Sequence, residues 1–210
     1  MRQALKIIRG EHVALAALLH ALRQLARQRA PTVADFQLLR AVVFYLHEFP
    51  EKRHHRRESL LLFPRIRVRA RSGEADYVLD RLDEEHLRGE RMARELEHAL
   101  LAWEQLGESR RAGFAEACER YADFYTAHLL LEEAEALPLA ARLLDDEDWF
   151  ELDAAFAENR DALAGESPED EYRQLFERIQ QLMPDSIGMV PTYGGASNHA
   201  PNDVERDSSS

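Results

Sequence analysis

Two histidine–glutamate pairs in this chain have the residue types and the spacing of metal ligands. Each pair places a histidine four residues before a glutamate, first at His54 and Glu58 and again at His128 and Glu132. Four residues make slightly more than one turn of an α-helix, so both side chains of a pair lie on one helix face. An imidazole and a carboxylate on the same face can reach one metal centre from the same side.

A constant offset of 74 positions relates the two pairs (128 − 54 and 132 − 58). The same offset relates Glu11-His12 to Glu85-His86, and a proline follows both pairs at equivalent positions. This repetition indicates an internal duplication in which each half supplies one lone histidine and one His-x3-Glu pair. The predicted metal ligands are therefore His12, His54, Glu58, His86, His128 and Glu132.

This donor set restricts the kind of metal. Imidazole nitrogens with two bridging carboxylates favour iron or another first-row transition ion, whereas magnesium and calcium prefer oxygen ligands. A closed structural zinc site needs only four ligands. Six ligands shared by two ions leave coordination positions open, and a small molecule such as O2 requires an open position to bind.

Four long stretches with helical periodicity must position these ligands. They cover about 3–29, 33–63, 74–106 and 109–143, and no stretch alternates with the period of a strand, so we expect an all-α fold. Pro50 should kink or restart the second helix, because proline lacks an amide proton. Short connections predict an up-down-up-down four-helix bundle, with the duplication as an internal two-fold repeat and a dinuclear site on its axis.

The chain after this bundle predicts smaller elements. One amphipathic helix should run from Asp145 to about Leu163 and another from Ser167 to about Met183. From position 184 onward Gly, Ser, Asn, Pro and Asp dominate, so a disordered tail containing His199 is expected. We therefore divide the chain into a bundle at 1–144, a helical extension at 145–183 and a tail at 184–210.

Composition excludes several classes of function. The net charge is −12 over 210 residues, which disfavours binding to nucleic acid and to anionic membranes. The single cysteine, Cys118, excludes an intramolecular disulfide and any multi-cysteine zinc or iron–sulfur site. The first residues lack the pattern of a secretory signal, and no apolar run is long enough to span a bilayer, so we expect a cytoplasmic protein.

The ligand pattern resembles the hemerythrin-like HHE cation-binding domains over about residues 3–143. The motifs that carry the resemblance are Glu11-His12, His54-His55-Arg56-Arg57-Glu58 with Leu62-Phe63-Pro64, Glu84-Glu85-His86, and His128-Leu129-Leu130-Leu131-Glu132-Glu133. The resemblance implies a four-helix bundle with two non-haem iron ions that bind O2 or related ligands. In that arrangement His12, His54, His86 and His128 would be terminal ligands, and Glu58 and Glu132 would be bridges.

The sequence departs from the oxygen-carrying members of this family at one ligand position. Those proteins use five histidines, two of them four residues apart on the third helix, but here the residue four after His86 is Glu90 and the residue four before it is Leu82. One iron could then be under-coordinated, take Glu90 or take water. This departure favours reaction, sensing or iron handling over oxygen transport.

The sequence gives less support to the other histidines as metal ligands. His47 lies seven residues before His54, and its equivalent in the other half is Tyr121 (47 + 74), so the pair is a candidate for hydrogen bonding next to the metal ions. His47 could instead be an ordinary core or surface residue, or a ligand brought in by distortion at Pro50. His20 and His98 have no counterpart at the offset, and His55 should point about 100° away from His54 to the bundle edge.

Three functions follow from this pattern. The first is a di-iron protein that binds or senses O2, NO or iron, with a small diatomic molecule as its ligand. The second is a di-iron oxidoreductase that consumes peroxide or another oxidant. The third is a metal-free helical bundle, and iron content with an oxygen-dependent absorption spectrum would separate the three.

Overall fold

The computed structural model describes residues 2–28, 31–70, 73–157, 168–184 and 187, and these residues form an all-α fold, as predicted. No strand occurs within these ranges, and none of their helices is long and apolar enough to cross a membrane. The α-helices are α1 Gln3–Arg27, α2 Val33–Phe49, α3 His55–Arg57, α4 Phe63–Arg69, α5 Glu74–Leu106, α6 Arg111–Leu131, α7 Leu137–Leu143, α8 Asp146–Ala157 and α9 Pro168–Leu182.

The helix limits follow local sequence signals. Thr32 caps α2 through a reciprocal pair of hydrogen bonds with Asp35, which satisfies amide groups that the first helical turn leaves unpaired. Gly107 ends α5 with a φ of 84°, a left-handed conformation that glycine adopts without steric cost. The limits of α5 agree with those predicted for the third helix. The second predicted helix was expected to end near residue 63, but helical structure continues to Arg69.

Three π-helical turns interrupt the helices that carry the His-x3-Glu pairs. They span Pro50–His54, Glu58–Leu62 and Glu132–Ala136. Pro64 and Pro138 lie just beyond the last two turns, and a proline ring clashes with the carbonyl one turn earlier in a regular α-helix. The wider π turn is one way to relieve that clash without ending the helix. At Pro50 the expected irregularity thus takes the form of a π turn.

The apolar core is divided into two clusters. The first cluster includes Leu15, Leu46, Ala93, Phe114 and Tyr125, and the second includes Ile8, Leu62, Leu82, Ala136 and Trp149. Five of the six predicted ligands lie between the clusters in sequence, as His12 does between Ile8 and Leu15 on α1. His128 directly precedes Leu129, the last residue of the first cluster on α6. A layer of buried polar side chains therefore separates two layers of hydrophobic packing.

The two C-terminal helices pack on the long helices. Asp153 of α8 accepts a hydrogen bond from the backbone amide of Ala4 at 2.7 Å, and α8 packs against α1. Phe176 of α9 is buried 5.6 Å from the ring of Tyr45 on α2. The predicted end of α8 near Leu163 lies outside the described residues, as do His199 and nearly all of the predicted tail.

The cap at the start of α2 gives a test of helix stability. We expect Thr32→Ala to lower the free energy of unfolding by about 1 kcal/mol, because it removes the side-chain acceptor for the Asp35 amide. Thr32→Ser keeps the hydroxyl and should stay within a few tenths of a kcal/mol of the parent protein. Urea denaturation of the three proteins measures the difference, and equal losses in both variants would contradict this role for the hydroxyl.

Candidate metal centre

The six predicted ligands come together in the buried layer between the two apolar clusters. His12 lies on α1 and His86 on α5, while His54 ends one π turn and Glu58 begins the next. His128 lies near the end of α6, and Glu132 begins the third π turn. All six side chains are buried, and His54, Glu58 and Glu132 are completely inaccessible to solvent.

Four of these residues form one compact donor group. His12, His54, Glu58 and Glu132 each place a ligand atom within 4.8 Å of the others. The Nε2 atoms of His12 and His54 are 3.1 Å apart. Glu58 Oε1 lies 3.2 Å from His54 Nε2, and Glu132 Oε2 lies 3.2 Å from His12 Nε2.

A second donor group lies beside the first and consists of His55, His86 and His128, again with ligand atoms within 4.8 Å of one another. The rings of His55 and His86 are stacked with centroids 3.9 Å apart, and the His86 and His128 rings meet edge to face at 5.0 Å. Glu58 joins the two groups, because its Oε2 lies 3.6 Å from His86 Nε2 while Oε1 faces His54. A carboxylate in this position can bridge two metal ions.

Carboxylates on other helical segments hold three of the imidazoles. The Glu11–His54 and Glu85–His128 pairs each lie within one half of the repeat, and the His12–Glu133 pair joins the two halves. Glu11 Oε2 lies 2.8 Å from His54 Nδ1, and Glu85 Oε2 lies 3.0 Å from His128 Nδ1. His12 Nδ1 lies 3.0 Å from Glu133 Oε1. An ionised carboxylate only accepts hydrogen bonds, so we assign the proton to Nδ1 in these rings, which directs the Nε2 lone pair inward.

The fourth imidazole is held by a hydroxyl. Ser59 Oγ donates to Asp83 Oδ1 at 2.6 Å, so its oxygen can accept from His86 Nδ1 at 3.1 Å. All four predicted histidine ligands thus have a hydrogen-bond partner on Nδ1. Such partners fix the ring orientation and raise the basicity of the coordinating nitrogen.

Buried donor atoms at the centre test whether the site suits metal ions. Both carboxylate oxygens of Glu58 and of Glu132, with Nε2 of His86 and of His128, lack a hydrogen bond of acceptable geometry among the described residues. Unsatisfied buried polar atoms are costly, and a cluster of them in one place requires an explanation. Inward nitrogen and carboxylate donors of this kind suit first-row transition ions, so the residues present fit a metal centre.

The electrostatics of the metal-free site favour neutral His54 and His86, whereas the Glu132 and Glu133 carboxylates outweigh burial and raise the pKa of His12. Burial lowers the pKa of His86 to about 3, with a further contribution from His128, and burial also lowers the pKa of His54. Burial and the neighbouring Glu132 carboxylate raise the pKa of Glu58 well above its ordinary value. Burial opposes ionisation of Glu132, but its interaction with His12 outweighs that effect and lowers its pKa. A neutral imidazole is the form that binds a metal ion.

The sequence prediction was wrong about the position of His55. It was expected at the bundle edge, but it is 3% exposed and belongs to the second donor group. Because residue 129 is a leucine, His55 has no counterpart at the 74-residue offset, and symmetry gave no signal for it (55 + 74).

The other uncertain positions lie apart from the two donor groups. His47 Nδ1 lies 3.0 Å from Glu97 Oε2, the Tyr121 hydroxyl donates to the Leu46 carbonyl at 3.0 Å, and Glu90 forms an ion pair with Arg94. His20 and His98 are exposed and belong to neither donor group.

The sequence prediction assigned no role to several residues around the ligands. Glu11 and Glu85 share the offset of the ligands, so the repeat could have identified them as paired supports. Ser59 and Glu133 occupy equivalent positions but differ in type, and Tyr125 corresponds to Glu51 (125 − 74), so their roles had no repeated signal.

The low pKa of His86 predicts a pH-dependent stability of the metal-free protein. Between about pH 6.5 and about pH 3 the unfolded chain binds a proton at His86 that the folded protein does not, so the free energy of unfolding falls as the pH falls. Relative to His86→Gln, the parent protein should lose about 1.4 kcal/mol more per pH unit across that range. Urea denaturation from pH 7 to pH 4.5 measures both slopes. His98→Gln, on the exposed face of the same helix, should retain the parent slope.

The carboxylates behind the histidines should contribute to metal affinity. We expect Glu11→Ala and Glu85→Ala each to weaken metal binding about 10- to 100-fold, because His54 or His128 loses the acceptor of its Nδ1 proton. Glu84→Ala removes an exposed neighbouring carboxylate and is the matched control. Competition with a chelator measures the affinities, and equal affinity of Glu85→Ala and Glu84→Ala would contradict the assignment.

Comparison with known proteins agrees with this geometry. Residues 3–140 match the family model of the hemerythrin HHE cation binding domain, which confirms the resemblance found in the sequence. No curated protein and no solved structure gives a significant match to the chain. The family match covers well over half of the chain and includes all six predicted ligands, so the protein belongs to the hemerythrin HHE cation-binding domain family.

Proposed function

We propose that this protein is a non-haem di-iron protein that binds or senses a small diatomic ligand such as O2 or NO. The proposed ligands are the six predicted from the sequence: His12, His54, Glu58, His86, His128 and Glu132. Glu58 and Glu132 would be the bridging carboxylates. Iron held by these residues would supply reversible binding of such a ligand through an open coordination position.

The observation that carries this proposal is the position of Glu58 between two donor groups. One carboxylate oxygen faces His54 in the first group and the other faces His86 in the second, at 3.2 Å and 3.6 Å. A single metal ion would not need two groups of histidines on opposite sides of a carboxylate. Two ions bridged by Glu58 and Glu132 account for both groups.

The proposed architecture is an up-down-up-down four-helix bundle. Helix α1 contacts α2 and α6, and α5 contacts the same two helices. Along α1 and α5 residues of the second apolar cluster precede those of the first, whereas the order is reversed from α2 to α4 and from α6 to α7. Alternating directions of the four long helical segments explain that order.

An internal two-fold repeat is supported by contacts around the histidines. Glu11 contacts His54 and Glu85 contacts His128, and both members of the second pair lie 74 residues after those of the first. The contacts of His12 with Glu133 and of His86 with Ser59 are likewise equivalent (12 + 74 and 133 − 74). The π turns Glu58–Leu62 and Glu132–Ala136 have the same offset. We propose that a pseudo-two-fold axis passes between the bridging glutamates.

The surroundings of the second donor group favour a small, weakly polar ligand. The Phe63 ring stacks over His86 at 5.8 Å, and the Phe124 ring stacks over His128 at 6.5 Å. The adjacent ligands are almost completely shielded from solvent. Aromatic walls and exclusion of water suit a diatomic gas better than a charged substrate.

Iron loading under anaerobic conditions tests the proposal. We expect about two iron ions per chain after ferrous loading and desalting, and an absorption change on exposure to O2 that reverses when O2 is removed. His128→Ala should lose most of the bound iron, whereas His20→Ala removes an exposed histidine and should retain it. Elemental analysis and absorption spectra provide both measurements. Equal iron contents in the two variants, or no bound iron in the parent, would rule the proposal out.

A peroxide-consuming oxidoreductase is the alternative function. It is favoured by the buried Tyr125 hydroxyl, which lies 3.3 Å from His55 Nε2 and provides an exchangeable proton beside the second donor group. Sustained peroxide consumption by the iron-loaded protein, lost in Glu58→Ala, would support this alternative. A spectral change without turnover would support ligand binding.

A further inference from the structure

We infer that His55 is a metal ligand, so that the adjacent residues His54 and His55 coordinate two different metal ions. This inference rests on the proposed di-iron function and adds a seventh ligand to the six predicted from the sequence. His54 lies with His12, Glu58 and Glu132, whereas His55 lies with His86 and His128. The two groups would then contain two and three imidazoles.

The local helix geometry accounts for two adjacent histidines in the core. Consecutive side chains of an α-helix diverge by about 100°. When one of two consecutive residues faces an adjacent helix, the other therefore usually points away from that helix. Here the π turn Pro50–His54 ends at the first histidine and α3 begins at the second. Both rings are buried, with centroids 5.5 Å apart, and each meets a different set of partners. The divergence therefore distributes the two rings between the two donor groups.

Neither residue four positions from His86 provides another imidazole ligand. Leu82 is apolar, and the Glu90 carboxylate pairs with Arg94 on a side chain that is 37% exposed. His55 comes instead from the second long segment of the chain and stacks on His86 at 3.9 Å with the rings 11° from parallel. It thus brings a third imidazole to the ions from a different helix.

Tyr125 holds the His55 ring in place. Its hydroxyl lies 3.3 Å from His55 Nε2, and the two rings are stacked at 5.7 Å. With Nε2 adjacent to the hydroxyl, we assign Nδ1 as the coordinating nitrogen and an Nε2 proton that is donated to Tyr125. Tyr125 is a positioning residue, because it acts on the metal centre through His55.

Gly89 provides the space that Tyr125 occupies. A Cβ atom at residue 89 would lie 3.2 Å from Tyr125 Cε2 and 3.3 Å from its hydroxyl oxygen. Such contacts are too short to be accommodated without a shift of the tyrosine ring. Gly89, which precedes Glu90, therefore leaves room for the tyrosine that orients His55.

Metal titration of four proteins tests the inference: the parent, His55→Leu, His55→Gln and His47→Leu. His47 is the matched control, because it belongs to the same segment but pairs with Glu97 outside both donor groups. Anaerobic Fe(II) stoichiometry and affinity are measured by elemental analysis and chelator competition. The Co(II) absorption spectrum reports the coordination of each ion, and circular dichroism confirms helical folding before each titration.

We expect the parent and His47→Leu to hold about two ions per chain, and the His55 variants to hold about one or to bind the second at least about tenfold more weakly. The intensity of the Co(II) spectrum should change in the His55 variants alone. Tyr125→Phe should keep both ions but alter the Co(II) spectrum, and so should Gly89→Ala. Imidazole added to His55→Gly should restore binding of the second ion, which a purely structural role of His55 would not predict.

The inference is overturned if a folded His55 variant retains two ions with parental affinity and spectrum. It is also overturned if His47→Leu weakens the second ion as much as His55→Leu does. Failure of the parent to bind two ions has a different meaning, because that result contradicts the proposed di-iron function itself. The titration thus distinguishes the two failures.

Discussion

The organisation of this protein depends on a layer of ionisable side chains buried between two apolar clusters. Burying carboxylates and imidazoles is unfavourable unless hydrogen bonds, ion pairs or a metal ion compensate for the lost solvation. Hydrogen bonds from side chains on other helical segments compensate on the outer side of the predicted histidines. On the inner side several donor atoms have no such compensation. That difference between the two sides is the physical basis for placing metal ions at the centre.

The π turns connect the backbone to this layer. Glu58 and Glu132 each begin such a turn, and a proline follows each turn within the next helix. A π turn widens the helix locally and is frequent at functional sites. The proline thus affects the fold by favouring the π turn that precedes it. The helical segment continues after the turn, so its apolar residues still pack in the core beyond the site.

Electrostatic balance in the metal-free protein explains why the layer need not be charged throughout. Burial favours neutral His54, His55 and His86, and lowers their pKa values. Burial opposes ionisation of Glu11 as well, yet its hydrogen bond with His54 and the charge of Arg57 lower its pKa. The low pKa values of Glu11 and Glu85 favour ionised acceptors, while those of His54, His55 and His86 favour the neutral form that binds metal ions.

The sequence by itself determined the all-α class, most helix limits and the six residues that meet at the centre, because helical periodicity and a fixed offset are properties of residue order alone. The same offset excluded His55, since a repeat identifies only what both halves share. Whether an unrepeated side chain enters the core depends on the local phase of the helix and on neighbouring side chains. Only the tertiary structure placed His55 on His86 and Tyr125 beside it, because these contacts join distant segments of the chain. It also showed Glu90 outside the centre, paired with Arg94 on its own helix.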